Sequence, residues 1–377
     1  MDFQLSDEQK DIQKAAKEFA QGEFDPDLAL ELDQDGKFPL SIWKKAAQLG
    51  FIGIHYPEEF GGQGCGFLEN LLVIEAFCTV DSAIGSALGT VDTGSEVILK
   101  FGSTEQKSRF LLPLAKGEKL LSTAFGESDD GRDLTAISTT AEKRNGGYFI
   151  RGKKSFVLNA SLANAFLTLC KEPEEGWITL IAERDPESFE LQSIEKMGLR
   201  TISFDDVLFK DARVPLSNRV GQEGAGIAHA RHCHQTIGLR SAAQALGTAQ
   251  GALDRAITHA KQREQFGKKL SQFQAIRHKL ADMAIGVEVA RCLTYKSATD
   301  YDQGKIDPVF FSVSQVEVGR RLVAVVDEAL QIFGGYGYMA EEAIEHYFRD
   351  AWAIGVELGT EEEQKDSIAE IILGPPR

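Results

Sequence analysis

The stretch AQALGTAQGALDRAITHAKQREQFGKKLSQFQAIRHKLADM (243–283) decides how the rest of the chain is read. Its first half repeats apolar residues at i, i+3, i+4 and i+7 over several turns, the pattern of a helix that buries one face. The pattern stops at Arg263, Gln265 and Phe266, a glycine turn follows, and a second helical run begins near Phe273. Read alone, REQFGKKLSQFQ (263–274) is a helix terminus carrying a basic residue.

Outward from there, a third amphipathic run (310–335) ends in QIFGGYGY (331–338), where paired glycines form a helix cap or let backbone approach another group closely. Upstream, YFIRGKKSFVLNA (148–160), WITLIAERD (177–185) and FDDVLFKDARVP (204–215) are rich in β-branched and aromatic residues, with Gly, Asp and Pro between them. They read as short antiparallel strands. Residues 1–120 are again helical in pattern, and Ser6 with Gln9 predicts a capping box at the first helix. LGFIGIHYPEEFGGQGCGF (49–67) reads as a turn region, and AFGESDDGRDL (124–134) as a polar loop leaving a strand. Helices, strands, helices predict an α+β chain with an N-terminal helical domain (1–120), a middle β domain (121–230) and a C-terminal helical domain (231–377).

Composition narrows the function. A chain of 377 residues with 43% apolar content can bury more than one core. A net charge of −16, with no long basic run, argues against nucleic-acid binding. Five dispersed cysteines show no CxxC pair, so no zinc site or disulfide framework is expected, and no metal. The polar N-terminus lacks the apolar run of a signal peptide, and no stretch is apolar enough to span a membrane. The expectation is a cytoplasmic protein with reduced thiols.

Taken together, the two C-terminal segments, YPEEFGGQG (56–64) and MGLR (197–200) resemble the acyl-CoA dehydrogenase family, and the resemblance runs from end to end. It implies a middle antiparallel β-barrel-like domain, a C-terminal four-helix bundle, and FAD between them. It further implies a homo- or hetero-tetramer in which a neighbouring subunit completes each FAD site. Arg263, Gln265 and Phe266 match the segment that reaches a neighbour's flavin pyrophosphate, a task suited to a guanidinium fork. Gln331, Gly334 and Gly335 match the adenine-side segment, and Thr360 and Glu362 the terminal segment that also meets FAD. The reaction implied is removal of an α-proton by a carboxylate and of a β-hydride by the flavin, across the Cα–Cβ bond of an acyl-CoA thioester. An electron-transfer flavoprotein or similar acceptor is the implied redox partner.

The chain departs from the family pattern where the chemistry should be. The family's YEGT aligns with Glu357-Leu358-Gly359-Thr360, so the base position is Leu358. Glu357 falls one residue early, a turn of about 100° in helical backbone. The alternative base position of some relatives is Ile237, the arginine that follows it is Gly238, and Arg240 lies two residues beyond. These make Ile237, Arg240 and Leu358 the expected substrate contacts. In the flavin-facing turn, Phe125 and Gly126 precede Arg132, with Gly126 and Arg132 replacing a threonine and a serine. The family's WIT becomes Phe156-Val157-Leu158, where Phe156 can stack on the flavin but Leu158 offers no hydroxyl. Each such lost hydrogen bond costs about 1–3 kcal/mol.

Two residues are the candidates to replace the base: Glu357, and His234, one turn before Ile237. Thr360 with Glu363 fits a capping box, which explains the glutamates of TEEE (360–363) but leaves Glu357 unexplained. Three functions stay open: an acyl-CoA oxidoreductase with a displaced base, a partner subunit of a heteromeric acyl-CoA dehydrogenase, or a relative running another acyl-CoA reaction.

Overall fold

The structure is a computed structural model that describes residues 4–127, 134, 136–174 and 176–374. Among these residues, the N-terminal part comprises α1 (Asp7–Glu23), α2 (Pro26–Asp35), α3 (Leu40–Gln48), α4 (Phe67–Val80), α5 (Ser82–Gly89), α6 (Ser95–Phe101) and α7 (Thr104–Ala115). The expected capping box closes α1: Ser6 Oγ accepts from the Gln9 amide, and Gln9 Oε1 accepts from the Ser6 amide. Helix α4 is apolar nearly all round and is buried accordingly, under α1 on one side and α8 on the other.

The middle part holds β1 (Leu121–Ala124), β2 (Thr140–Arg144), β3 (Gly147–Leu158), β4 (Ala165–Glu172), β5 (Gly176–Glu183), β6 (Phe189–Ser193), β7 (Phe204–Pro215) and β8 (Arg219–Val220). They form one sheet in the order β6-β7-β3-β2-β4-β5-β8, with β1 beside β4. Two features differ from the sequence expectation of short antiparallel strands. First, β1 and β2 pair with β4 in parallel, because the chain reverses twice, into and out of β3, before β4. Second, β3 and β7 are twelve residues long, and bulges bend their ladder between Ile150 and Arg151 and between Lys154 and Val157. The second bulge puts Phe156 at φ 56° and turns its ring outward, 60% exposed.

The loop after β1 is anchored by Glu127. Its carboxylate accepts from the amides and hydroxyls of Ser138 and Thr139 and from the buried Lys154 ammonium at 2.9 Å. Burial alone would raise this carboxyl's pKa, but those donors outweigh it and hold it at about 2.

The C-terminal part consists of α8 (Gly226–Gln262), the hairpin strands β9 (Glu264–Gln265) and β10 (Lys268–Lys269), α9 (Gln274–Asp302), α10 (Pro308–Phe333), α11 (Ile344–Glu357) and α12 (Glu361–Leu373). The turn foreseen after Arg263 is the tip of this hairpin, where Phe266 and Gly267 both have positive φ.

Two buried polar junctions lock the three parts together. At the first, Asp350 of α11 accepts from the Leu199 amide at 2.6 Å and from the Ser82 hydroxyl at 2.5 Å, joining the C-terminal, middle and N-terminal segments. A Cβ on Gly198 would lie 2.2 Å from the Arg349 carbonyl oxygen, so only glycine lets that loop reach α11. At the second, Arg240 of α8 forks onto Asp92 at 2.9 Å and onto Glu96. Tyr56 donates to Asp92 at 2.6 Å, and His55 pairs with Glu96 at 3.0 Å.

Arg240→Ala strands two buried carboxylates and is expected to cost on the order of 3–5 kcal/mol in urea unfolding; a change under 1 kcal/mol would refute the junction's role. For Glu127, the folded pKa lies below the unfolded one. Its stabilisation is therefore present above about pH 4.5 and is lost as pH falls toward about 2. Glu127→Gln should lower the melting temperature at pH 7 and flatten the acid limb of the stability profile across that window.

Candidate active site

Helix α11 ends at Glu357, and Leu358 continues in helical conformation with φ −64° and ψ −15°. The two side chains therefore diverge by a helical step. Leu358 is 3% exposed and belongs to the C-terminal core with Val318, Leu322 and Ile354. Its Cδ1 stands 3.4 Å from where a Cβ on Gly319 would be. Glu357 turns toward α8, where its Oε2 accepts from Ser241 Oγ at 3.2 Å. Beyond Gly359, Thr360 caps α12 in the predicted capping box with Glu363.

A groove of about 560 Å³ lies between α8, α10 and α12, and Glu357, Leu358, His234 and Gly238 all line it. The two residues expected to replace the base thus share one groove. His234, Gly238 and Ser241 follow helical spacing on α8, a signal from which Ser241 could have been read. The two histidines that precede it on that helix, His229 and His232, are buried. His229 bonds Thr179 at 3.2 Å, and burial keeps it below the usual imidazole range. Burial, with Lys100 nearby, pushes His232 down to about 4.

The remaining expected substrate contacts sit elsewhere. Arg240 is 4% exposed and its guanidinium is committed to Asp92 and Glu96, so it does not reach the groove as sequence reasoning expected. Ile237 is half-buried against the cluster that contains Val97 and Cys233 and does not line the groove.

The expected cofactor residues fall into three groups. Arg263, Gln265, Gln331, Gly334 and Gly335 line one groove of about 610 Å³, where the Arg263 guanidinium lies 5.0 Å over the Tyr336 ring. A Cβ on Gly334 or Gly335 would meet nothing within 4 Å; the backbone itself calls for glycine at 334, which has φ 60° and ψ −135°, whereas packing does not require Gly335. Phe266, at the hairpin tip, is 93% exposed and does not line that groove. Thr360 and Glu362 line a second groove, of about 710 Å³, together with Leu358 and Gln315. The third group belongs to the sheet. Phe125 is buried and its carbonyl accepts from Lys154 Nζ at 3.0 Å, while Gly126 faces open space. Phe156 projects from its bulge, and Leu158 packs toward the C-terminal core while its carbonyl accepts from Ser122 Oγ at 2.6 Å. Arg132 lies outside the described residues.

These residues suit a dinucleotide at one end and less so at the other. Arg263 supplies fixed positive charge, and Gly334 and Gly335 supply backbone open to close approach. At the sheet, Phe156 offers an exposed aromatic face, while Gly126 and Leu158 offer no hydroxyl.

Comparison with known proteins matches this architecture along the whole chain. The acyl-CoA dehydrogenase N-terminal, middle and C-terminal domain families match residues 6–118, 122–212 and 224–373. The chain is 34% identical to a short-chain-specific acyl-CoA dehydrogenase of Clostridium acetobutylicum, over 97% of this chain and 98% of that protein. It is likewise 34% identical to an acryloyl-CoA reductase (NADH) of Anaerotignum propionicum, covering 99% and 96%. The structure superimposes on butyryl-CoA dehydrogenase from Megasphaera elsdenii with a TM-score of 0.94 at 32% identity, covering 99% and 100%. With its three parts matched in order and its full length shared with these enzymes, the chain belongs to the acyl-CoA dehydrogenase family.

Proposed function

We propose that this protein is an FAD-dependent oxidoreductase acting at the Cα–Cβ bond of an acyl-CoA thioester, with the base moved from position 358 to Glu357. One observation carries this reading: Glu357 lines a groove with His234 and is held there by Ser241, while Leu358 is locked into the core. FAD, when bound, supplies the hydride acceptor or donor. Glu357 takes the α-proton, or returns it when the reaction runs toward the saturated thioester. Ser241 orients that carboxylate through its hydrogen bond to Oε2. Leu358, Phe311 and Gly238 give the groove one apolar wall, opposite the polar side chains of Glu363, Gln364 and Ser367 on α12. His234, on the same groove, is the second group placed to hold a proton.

Arg263, Gln265 and Gln331 are proposed to hold the cofactor's pyrophosphate and adenine end in a neighbouring subunit, with Thr360 and Glu362 meeting the cofactor of their own chain. The exposed rings of Phe266 and Tyr338, 93% and 91% accessible, are apolar surface that a second copy would cover. A tetramer follows from this reading, and an electron-transfer flavoprotein is its proposed redox partner. No helix among the described residues is long and apolar enough to cross a membrane, in keeping with a proposed cytoplasmic enzyme.

One further reading has its own support. Leu358 has become part of the core, and the sheet lacks both hydroxyls, yet the Arg263 groove keeps its expected residues. A partner subunit that donates Arg263 to a homologue's flavin would be built this way.

Purification of the chain alone separates the two. Under the first reading it is yellow, and butyryl-CoA bleaches it anaerobically; a colourless chain that yellows only beside a co-expressed homologue sinks that reading in favour of the second. Glu357→Gln should lower turnover about 10²–10⁴-fold with flavin content unchanged, and wild-type rates in that variant would remove Glu357 from the mechanism. Leu358→Glu buries a carboxylate in the core and should reduce the melting temperature without raising the rate. A gain of dehydrogenase activity there would show that the only loss was at position 358.

A further inference from the structure

Helix α11 brings a histidine into the first of the two buried junctions. His346 Nε2 stands 3.3 Å from Asp81 Oδ2, and both residues are buried. The contact has the distance of an ion pair without the alignment of a hydrogen bond, so its strength lies in charge. Asp81 also caps α5, where its Oδ1 accepts from the Ile84 amide at 2.9 Å. One turn beyond His346 on α11, Asp350 carries the contacts to Ser82 and Leu199. His346 and Asp350 therefore tie one face of α11 to one end of α5.

Three buried carboxylates meet here, and the cations that face them differ in one respect. Asp33 of α2 is answered by Arg349 at 2.7 Å, and Arg200, from the loop that holds Leu199, stands 3.8 Å away. Arg349 is shared with Glu345 at 2.6 Å. Lys196, from the same loop as Arg200, acts on Asp33 and Asp350 from further off. Arg255 of α8 acts on Asp81, with its guanidinium over the Tyr347 ring and bonded to the Val80 carbonyl at 2.7 Å. Asp350 accepts from uncharged donors. Arginine and lysine ordinarily stay charged through the physiological range, whereas an imidazole loses its charge near neutral pH. His346 is thus the cation of this junction that a rise in pH removes.

We propose that His346 is a proton-operated lock on α11: protonated, it binds the helix to the cap of α5, and on losing its proton it releases the helix that presents Glu357. The lock stands on the junction's geometry and does not depend on the chemistry assigned to Glu357.

The direction of the response follows from the surroundings. Burial alone would lower the His346 pKa, but Asp81, Asp350 and Asp33 outweigh it and hold the imidazole above its usual range. Burial pushes Asp350 up to about 6. Both groups therefore keep their protons longer in the folded chain than in the unfolded one. A raised pKa contributes stability that is full below the unfolded value and is lost as pH rises through the folded one. For Asp350 that loss lies between about 4 and about 6, and for His346 it begins above about 6.5. Above about pH 6.5 the junction's carboxylates are already largely ionised, so further loosening belongs to His346.

The test is amide hydrogen exchange of the full chain, as purified, followed by mass spectrometry at about pH 6 and about pH 8.5, with times corrected for intrinsic exchange. Wild-type α11 should lose at least about tenfold in protection at the higher pH, the size of a one-unit pKa difference, while strand β4 changes less than about twofold. In His346→Gln, α11 should be protected alike at both pH values, within about twofold. Asp81→Asn, which keeps a side chain able to cap α5 and removes the partner charge, should shrink the contrast to about twofold as well. If the glutamine variant does not fold, the asparagine variant decides. Wild-type α11 whose protection changes by less than about twofold overturns the proposal, and so does a contrast that persists undiminished in a folded variant.

Discussion

The helical step between Glu357 and Leu358 is the constraint on which the site depends. Because α11 keeps its helical conformation through Leu358, the two side chains diverge by a helical step, and Glu357 reaches Ser241 while Leu358 packs on the core side of the groove. The core takes the leucine: it packs with Val318, Leu322 and Ile354, and Gly319 leaves the space for it. Fully burying a leucine side chain is worth roughly 1.5–3 kcal/mol. Rotating α11 to present position 358 instead would forfeit that burial and turn the Glu357 carboxylate toward the apolar core. The carboxylate's direction is therefore set by packing, and Ser241 refines it.

That step would mean little if α11 itself could turn. It is pinned at its middle by Asp350, which bonds both the N-terminal and the sheet segments, and by Arg349, which reaches Asp33 of α2 at 2.7 Å. Glycine at 198 is what allows the Leu199 loop to come close enough. The partner wall of the groove, α8, is held by Arg240 against Asp92 and Glu96. Both walls are thus fixed by buried charges at sites removed from the groove. Arg240 ties α8 to the N-terminal part, although the sequence suggested direct contact with a substrate.

Much of the fold was legible because its signals are local. Helical periodicity, the Ser6–Gln9 and Thr360–Glu363 capping boxes and the glycine after Phe266 all depend on neighbours within a few residues. Parallel pairing of β1 and β2 with β4 was not legible, since strand direction follows from chain reversals and leaves no mark in composition. In the site, Glu357 and His234, the two candidates to replace the base, line one groove, and both lie on helices whose phase can be counted. Arg240 was misplaced for a different reason: its partners Asp92 and Glu96 lie about 150 residues earlier in sequence, and no local pattern announces a long-range ion pair. Ser241 carries no motif at all; its place beside Glu357 comes from what faces it across a helix interface.

The most direct test of this account follows the proton and leaves the electrons aside. Butyryl-CoA incubated with the protein in deuterium oxide should acquire deuterium at C2, read by mass spectrometry, and the exchange should disappear in Glu357→Gln while persisting in a Leu358→Ile variant. Exchange that continues undiminished without the Glu357 carboxylate would contradict the account, because a base other than the one presented by the turn of α11 would then be at work.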